Sequence, residues 1–433
     1  MDASPGVWLS TARQSPDEPT QSLVRVLDLI RSGGAVTRPE ISRISGYGRT
    51  VVSQRLNQLM AAGLVREGEL ASSNGGRAPR QLSFVSDAGR LLVAQLGATT
   101  ISAGIASLDG TVVTSRRQSI NIADGPDRIL DQVESIFDSM ITQTGTASNA
   151  IWGVGIGLPG PVEYATGKPV APPIMPGWDA YPVRTRLSHR YDAAVWVDND
   201  VNLMALGELR CGVARGQDDI IYLKVGSGIG AGLVGEGRLH RGAQGSAGDV
   251  GHIEVEHNSG ALCRCGNYGC LEALAGGAAL TRGGIELARS ATSRFLAERL
   301  ADAGTIEFTD IAAAADHGDP DAAKLLNSSA RHVGQMLATL VNFHNPSLIV
   351  IGGSVARSGD SYLATVRQMV LNRSLPLATR ELRITPSPLK DRAGLLGAAF
   401  LVIDELFSPA VLDLWIDTGH PSGLTGGELS EAS

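Results

Sequence analysis

The sequence predicts an α/β protein in two parts: a small helical unit carrying a two-stranded wing, then a larger two-lobed α/β body. Three observations carry this. Apolar residues recur at helical spacing from Leu23 to Met60, and after about residue 90 the pattern becomes strand–turn–strand. That second design then occurs twice. LLVAQLGATTISAGIASLDG and IIYLKVGSGIGAGLVGEG share an apolar run, a polar residue, a glycine turn and a second apolar run, so that Gln95-Leu96-Gly97 aligns with Lys224-Val225-Gly226. Finally, 53 of the 433 residues are Gly and only 4% are aromatic, a composition suited to tight turns and small-residue packing.

The length admits two or three domains. A hydrophobic share of 43% and a charged share of 19% fit an ordinary globular protein. No apolar run approaches the ~20 residues of a membrane span. The stretch MDASPGVWLSTARQSPDEPTQ has no basic start followed by an apolar segment, so the expected location is the cytoplasm, away from membranes and with thiols reduced. The net charge of −7 conceals an asymmetry: residues 21–90 hold ten Arg and no Lys against five acidic residues. A basic segment on an acidic body points to a nucleic-acid-binding module, the alternative being a solvated surface.

Residues 1–20, rich in Ser, Pro and Asp, are expected to be a disordered tail. Leu23, Val26, Leu27 and Ile30 then mark one face of a helix that Gly33-Gly34 ends. Thr37-Arg38-Pro39-Glu40 is a capping box with proline in the first turn, opening a short helix with Ile41 and Ile44 inward. After Gly46-Tyr47-Gly48 a third helix spans about 49–62 and stops at Gly63. Val52, Leu56, Leu59 and Met60 form its buried stripe; Thr50, Gln54 and Asn57 share the opposite face, with Arg49 at the N-terminal end and Ser53 at the flank. Strand-like stretches at 64–70 and 81–85 flank ASSNGGRAPR. This is the outline of a winged helix-turn-helix over residues 21–88. Its third helix would enter the major groove, where Gln and Asn pair with adenine and Arg with guanine, while Arg77 and Arg80 of the wing reach phosphate or the minor groove. A helical unit that binds protein is the alternative.

The body is expected over 89–408. Its glycine turns at Gly97, at Gly226, Gly228 and Gly230, and at Gly352 and Gly353 after the apolar run 348–351 resemble loops whose backbone N–H groups cradle phosphates. Helical spacing appears at 128–141, 330–343 and 393–407, and residues 409–433 are expected to form a C-terminal tail.

Three of the four cysteines fall in CRCGNYGC. Cys263, Cys265 and Cys270 supply three thiolates, and a fourth ligand would complete a tetrahedral zinc site: His252 lies eleven residues upstream and His257 competes for the role. Cys211 stands alone and reads as a core thiol. Asp198-Asn199-Asp200 follows the apolar run 193–197, where open α/β folds place ligands. Asp200 could act as a general base toward a sugar hydroxyl or serve as a helix N-cap. Asp249 and Glu272 could converge on the same pocket.

Together these residues resemble the ROK family of repressors and sugar kinases. GIGLPGPVE, MPGWDAYPVRTRL, VDNDVN, VGSGIGAGLVGEGRLHRGAQGSAGDVGH, CRCGNYGCLE and IVIGGSV fall in the family's order across about 90–405. The resemblance implies a two-lobed actin/hexokinase-like fold. It implies structural zinc on His252, Cys263, Cys265 and Cys270, sugar contacts from Asn199, Asp200, Asp249, His252 and Glu272, and Asp200 at the kinases' catalytic-base position. The metal would then buttress the sugar pocket by fixing His252 and the loop before Glu272. Two positions depart from the kinases. Gln95 stands where their first phosphate loop has Asp, and Asp249 stands where the E-x-G-H motif has Glu. The first argues against binding of ATP and magnesium and against phosphoryl transfer. With the winged helix in front, the expectation is a sugar-responsive DNA-binding transcriptional repressor, not an enzyme. It would bind operator DNA and a sugar or sugar-phosphate effector as a homodimer or homotetramer. The alternative is an ATP-dependent sugar kinase with an accessory DNA-binding domain.

Overall fold

The computed structural model describes residues 18–70, 80–354 and 360–424; Arg77 lies outside them. Three helices come first: α1 (Glu18–Arg31), α2 (Arg38–Ser45) and α3 (Arg49–Ala61), followed by the antiparallel pair β1 (Val65–Leu70) and β2 (Arg80–Phe84). The local sequence explains each boundary. Thr37 is extended and accepts a hydrogen bond from Glu40 N, and Pro39 sits in the first turn of α2. Glu40 reaches back to Val36 N at 3.0 Å, which draws its carboxyl below the usual range. Gly46, with φ +78°, ends α2 in the left-handed region that favours glycine, and Gly63, with φ +71°, follows α3. Leu27, Ile41, Leu56, Leu59 and Leu64 are buried between these elements. Ile44, expected inward, is 37% exposed, because at the end of so short a helix it falls beside the turn that leaves the core. Helix α1 begins at Glu18, inside the stretch expected to be a tail.

The body is an internal duplication. Strands β3 (Arg90–Leu96), β4 (Thr100–Ser107) and β5 (Val112–Ser119) form an antiparallel meander; after α4 (Pro126–Thr144), β6 (Ile151–Leu158) lies parallel to β3. The small pair β7 (Val162–Glu163) and β8 (Lys168–Pro169) and helix α5 (Val183–Tyr191) lead to β9 (Ala194–Asn199), parallel to β6. The sheet order is β5-β4-β3-β6-β9. Helix α6 (Asp200–Cys211) carries the chain to the second lobe.

There β10 (Ile220–Val225), β11 (Ile229–Gly235) and β12 (Arg238–His240) repeat the meander. Helices α7 (Leu271–Ala275), α8 (Gly277–Arg289), α9 (Arg294–Ala303), α10 (Phe308–Asp316) and α11 (Pro320–His344) precede β13 (Leu348–Gly352). Helices α12 (Asp360–Arg373) and α13 (Pro376–Thr379) then precede β14 (Arg383–Pro386). The order β12-β11-β10-β13-β14 and the strand directions match the first sheet. Gln95 pairs with Ser102 and Gly157, Lys224 with Gly230 and Gly352, so the two sit at equivalent points of the two lobes.

Helix α14 (Ala393–Leu406) returns to the first lobe and packs with α6 between the two sheets. The backbones are nearly in contact: a methyl added at Gly397 would stand 1.7 Å from Leu203 O, and one at Gly207 would stand 2.0 Å from Ala393 O. Glu208, buried near the end of α6, ties both crossings between the lobes. Its carboxylate accepts from Val213 N at 3.0 Å on the outgoing strand of chain, and from Ser387 Oγ at 2.5 Å and Leu389 N at 3.4 Å on the returning one.

The C-terminal tail expected from residue 409 is corrected in its first part, which forms α15 (Pro409–Trp415). Ser408 caps it, Pro409 opens it, and Val411, Leu412, Trp415 and Ile416 are buried along one side. The glycine-rich end of the sequence masked this short amphipathic helix. It seats the N-terminal unit: Thr20 Oγ1 donates to Asp413 Oδ1 at 2.8 Å, and the Arg31 guanidinium lies 5.2 Å over the Phe407 ring. Among the described residues no single helix is long and apolar enough to cross a membrane.

Candidate functional site

A cleft opens between the lobes, where β6, β9 and β10 end and the loop after β12 crosses over. This is the carboxyl-end position that parallel strands offer a ligand. Asn199 and Asp200 reach it from the first lobe. Asn199 is the N-cap of α6: its Oδ1 accepts from Val201 N at 2.8 Å and its Nδ2 donates to Gly160 O at 2.9 Å. Asp200 is therefore not the cap but the first residue of the helix, 2% exposed, with its carboxylate turned to the cleft.

Lys224 meets it there. Its Nζ lies 2.5 Å from Asp200 Oδ2, so Asp200 has one oxygen committed to an ammonium group from the other lobe. The second lobe also supplies Glu272, whose Oε2 accepts from Ile229 N at 3.0 Å. A methyl at position 228 would stand 2.6 Å from that same oxygen, so any larger residue there would displace the carboxylate. Asp249 lines the cleft too, with its carboxyl pushed up by burial.

A second ion pair joins the lobes beside Asn199. Arg241 Nε donates to Asp198 Oδ2 at 2.7 Å, while Asp198 Oδ1 accepts from Asn199 N and Asn202 Nδ2. The Arg241 guanidinium lies 3.8 Å over the Tyr164 ring, and Tyr164 OH donates to Glu405 Oε1 at 2.6 Å on α14. Burial drives the Tyr164 hydroxyl well above its usual range.

His252 bridges the cleft and the cysteine loop. Its Nδ1 lies 3.4 Å from Cys263 Sγ, while its Nε2 is 4.0 Å from Asp249 Oδ1 on the cleft side. Cys265 Sγ and Cys270 Sγ are 3.7 Å apart, and the four donor atoms all lie within 4.8 Å of one another. Tetrahedral zinc with Zn–S near ~2.3 Å needs donors about 3.5–4 Å apart, so the set fits. Burial pushes the Cys270 thiol up to about 12 and raises Cys263, so close-set thiolates here call for a compensating cation. His257 is not part of the set: it is exposed and its Nδ1 meets Glu254 Oε1 at 2.9 Å. Cys211, expected in a core, is exposed at the end of α6, where the chain leaves the helix for the crossing.

Of the glycines expected in phosphate-cradling loops, Gly228 and Gly230 line the cleft. Gly226 lies just behind them, with its carbonyl accepting from Gly277 N, and Gly353 turns against Val225 O. Gly97 turns in the first lobe and donates to Thr100 O. Gln95 is buried against Gly394 at the start of α14.

Among the described residues, none of those expected to touch nucleic acid lines the cleft. Arg49, Thr50, Gln54 and Asn57 are exposed on one side of α3, Ser53 is half-buried beside them, and Arg80 is exposed where β2 begins. Arg55 points the other way, buried, donating to Ser22 Oγ at 2.8 Å and to Gln58 Oε1.

Sequence reading passed over the roles of Lys224, Asp198, Arg241 and Glu208. A lysine in the apolar run IIYLKV was the one local signal, since a charge at a buried strand end needs a partner.

Comparison with known proteins adds to this geometry. Residues 92–405 match the ROK family. A putative xylose repressor from Caldicellulosiruptor sp. (strain Rt8B.4) is 30% identical over 386 residues, 88% of this chain and 95% of that one. A crystal structure of a ROK family transcriptional regulator, homologous to the E. coli MLC protein, superposes with a TM-score of 0.78 over 92% of this chain and 99% of that one, at 24% identity. A ROK family glucokinase from Streptomyces griseus, solved with glucose and AMPPNP, is 31% identical with a TM-score of 0.61, covering 72% of this chain and 99% of that one.

Proposed function

The chain belongs to the ROK family, and from that premise we propose that it is a sugar-responsive DNA-binding transcriptional repressor working in the cytoplasm. The N-terminal unit is read as a winged helix-turn-helix, with α3 as the recognition helix and β1–β2 as the wing. The observation that carries this reading is the face of α3. Arg49, Thr50, Gln54 and Asn57 stand exposed together, while the same helix buries Val52, Leu56 and Leu59. The regulator match covers 92% of the chain, whereas the glucokinase match covers 72%. One such unit reads one half-site, so the DNA-bound form is a homodimer or a higher even assembly.

The cleft is the sensor. Asp200, Asp249 and Glu272 offer acceptors to sugar hydroxyls, His252 offers Nε2, and Asn199 keeps one amide hydrogen free of the bonds described. Zinc held by His252, Cys263, Cys265 and Cys270 supplies cross-linking of the loop, not reaction chemistry. It fixes the ring orientation of His252 and the approach to Glu272. Phosphoryl transfer is disfavoured: Gln95 faces Gly394 and Asp200 is tied to Lys224.

The test is selection of genomic DNA fragments on the full-length protein, then titration of the enriched fragment. Enrichment of one inverted-repeat sequence, lost with Gln54→Ala and Asn57→Ala together, is expected. No enriched sequence would overturn the reading.

A further inference from the structure

We propose that the cleft takes an uncharged sugar and rejects the phosphorylated or carboxylated form of the same sugar. The proposal deepens the sensor reading and rests on it. The argument begins with charge. Among the described residues lining the cleft, Lys224 is the single Lys or Arg, and Asp200, Asp249 and Glu272 stand around it. Lys224 is already engaged: its ammonium lies 2.5 Å from Asp200 Oδ2, and the two side chains are 14% and 3% exposed. An anionic ligand would have to share Lys224 with Asp200, whose buried carboxylate already offsets the charge of the ammonium, and would face Asp249 and Glu272 with no further Lys or Arg in the lining. The other cation nearby, Arg241, is held by Asp198 and by the face of Tyr164.

Hydrogen-bond capacity points the same way. Carboxylates only accept, and the cleft presents three of them. Sugar hydroxyls both donate and accept, so a polyol can satisfy these oxygens. An ionised phosphate or carboxylate offers only acceptors, which these three carboxylates cannot satisfy. The tight turn at Gly228 adds to this: the Ile229 N–H that could have faced a phosphate is occupied by Glu272 Oε2 at 3.0 Å. Pro173 and Ile174 supply an apolar side for the C–H face of a pyranose ring.

Calorimetric titration of the full-length, zinc-loaded protein tests this with glucose, mannose and N-acetylglucosamine, each against its own 6-phosphate, and glucose also against glucuronate. At least one neutral sugar should bind tenfold or more tightly than its charged counterparts. A 6-phosphate or a uronate that binds as tightly as the neutral form, or more tightly, overturns the proposal and leaves the sensor reading intact. Binding of neither kind removes the sensor reading itself, and this proposal with it. Asp200→Asn keeps the side-chain shape and releases the ammonium, so it should shift the ratio toward the 6-phosphate by tenfold or more. An unchanged ratio would assign the selectivity to something other than the Lys224–Asp200 pair; if the variant binds neither ligand, the wild-type ratio decides.

Discussion

Arg241 in the second lobe donates to Asp198 in the first across 2.7 Å, joining the lobes with a charge pair whose acid is 3% exposed. Removing one partner of such a pair strands the other. Arg241→Ala should therefore cost about 3–5 kcal/mol of stability, read as a shift in urea midpoint. Replacing both residues by apolar ones should cost less than the single change. A neutral Arg241→Ala would mean that Asp198 does not depend on its partner.

Zinc should be present at about one ion per protomer in protein purified without chelator. Cys265→Ser should lose it and lower the melting temperature, because structural zinc contributes directly to folding free energy. Elemental analysis that finds no metal would refute the assignment of the cysteine loop.

On DNA, Gln54→Ala and Asn57→Ala should each weaken binding by roughly 1–3 kcal/mol at the base pair they read, with little effect on unrelated sequences. Arg80→Ala should act alike on all sequences and reduce the salt slope by about one. Equal losses on specific and random DNA for the two α3 changes would exclude base reading.

ATP-dependent phosphorylation of hexoses should be absent or far below the ~1–100 per second of working kinases. Restoring Gln95→Asp alone should not rescue it, because Lys224 still occupies Asp200. Any gain should require Lys224→Met as well. A coupled assay showing turnover in the kinase range for the unaltered protein would reverse the reading.

Sugar should change operator affinity by about 1–3 kcal/mol, lowering it if the protein is an inducible repressor. Glu272→Ala should shrink that difference toward zero. Superimposable titrations with and without a sugar shown to bind would uncouple the cleft from DNA.

Much of this architecture could be read from the chain because its signals are local. The Thr37 cap and the glycine stops mark α2, α3 and the end of α1 within a residue or two, while α1 starts at Glu18, ahead of the Leu23 to Ile30 spacing that announced it. The repeat that aligned Gln95 with Lys224 reflects two sheets of the same order. What escaped is non-local. Lys224 and Asp200 are 24 residues apart on different lobes, and Arg241 and Asp198 are 43 apart. No periodicity announces such pairs; only the folded backbone brings them together. The choice of His252 over His257 was likewise open in sequence and decided by where each ring points.

The seat that α15 provides for α1 has a thermodynamic side. Side chains of the N-terminal unit, Trp152, Phe407 and Trp415, and the packed faces of α6 and α14 belong to one continuous apolar cluster. Cutting the chain after residue 88 would turn Phe407 and the surface around α15 toward water, so the remainder would tend to aggregate. Elements that share a core melt together. In a calorimeter the N-terminal unit and the first lobe should lose their heat in one peak, and any ligand seated in the cleft should raise the melting of α3 without touching it.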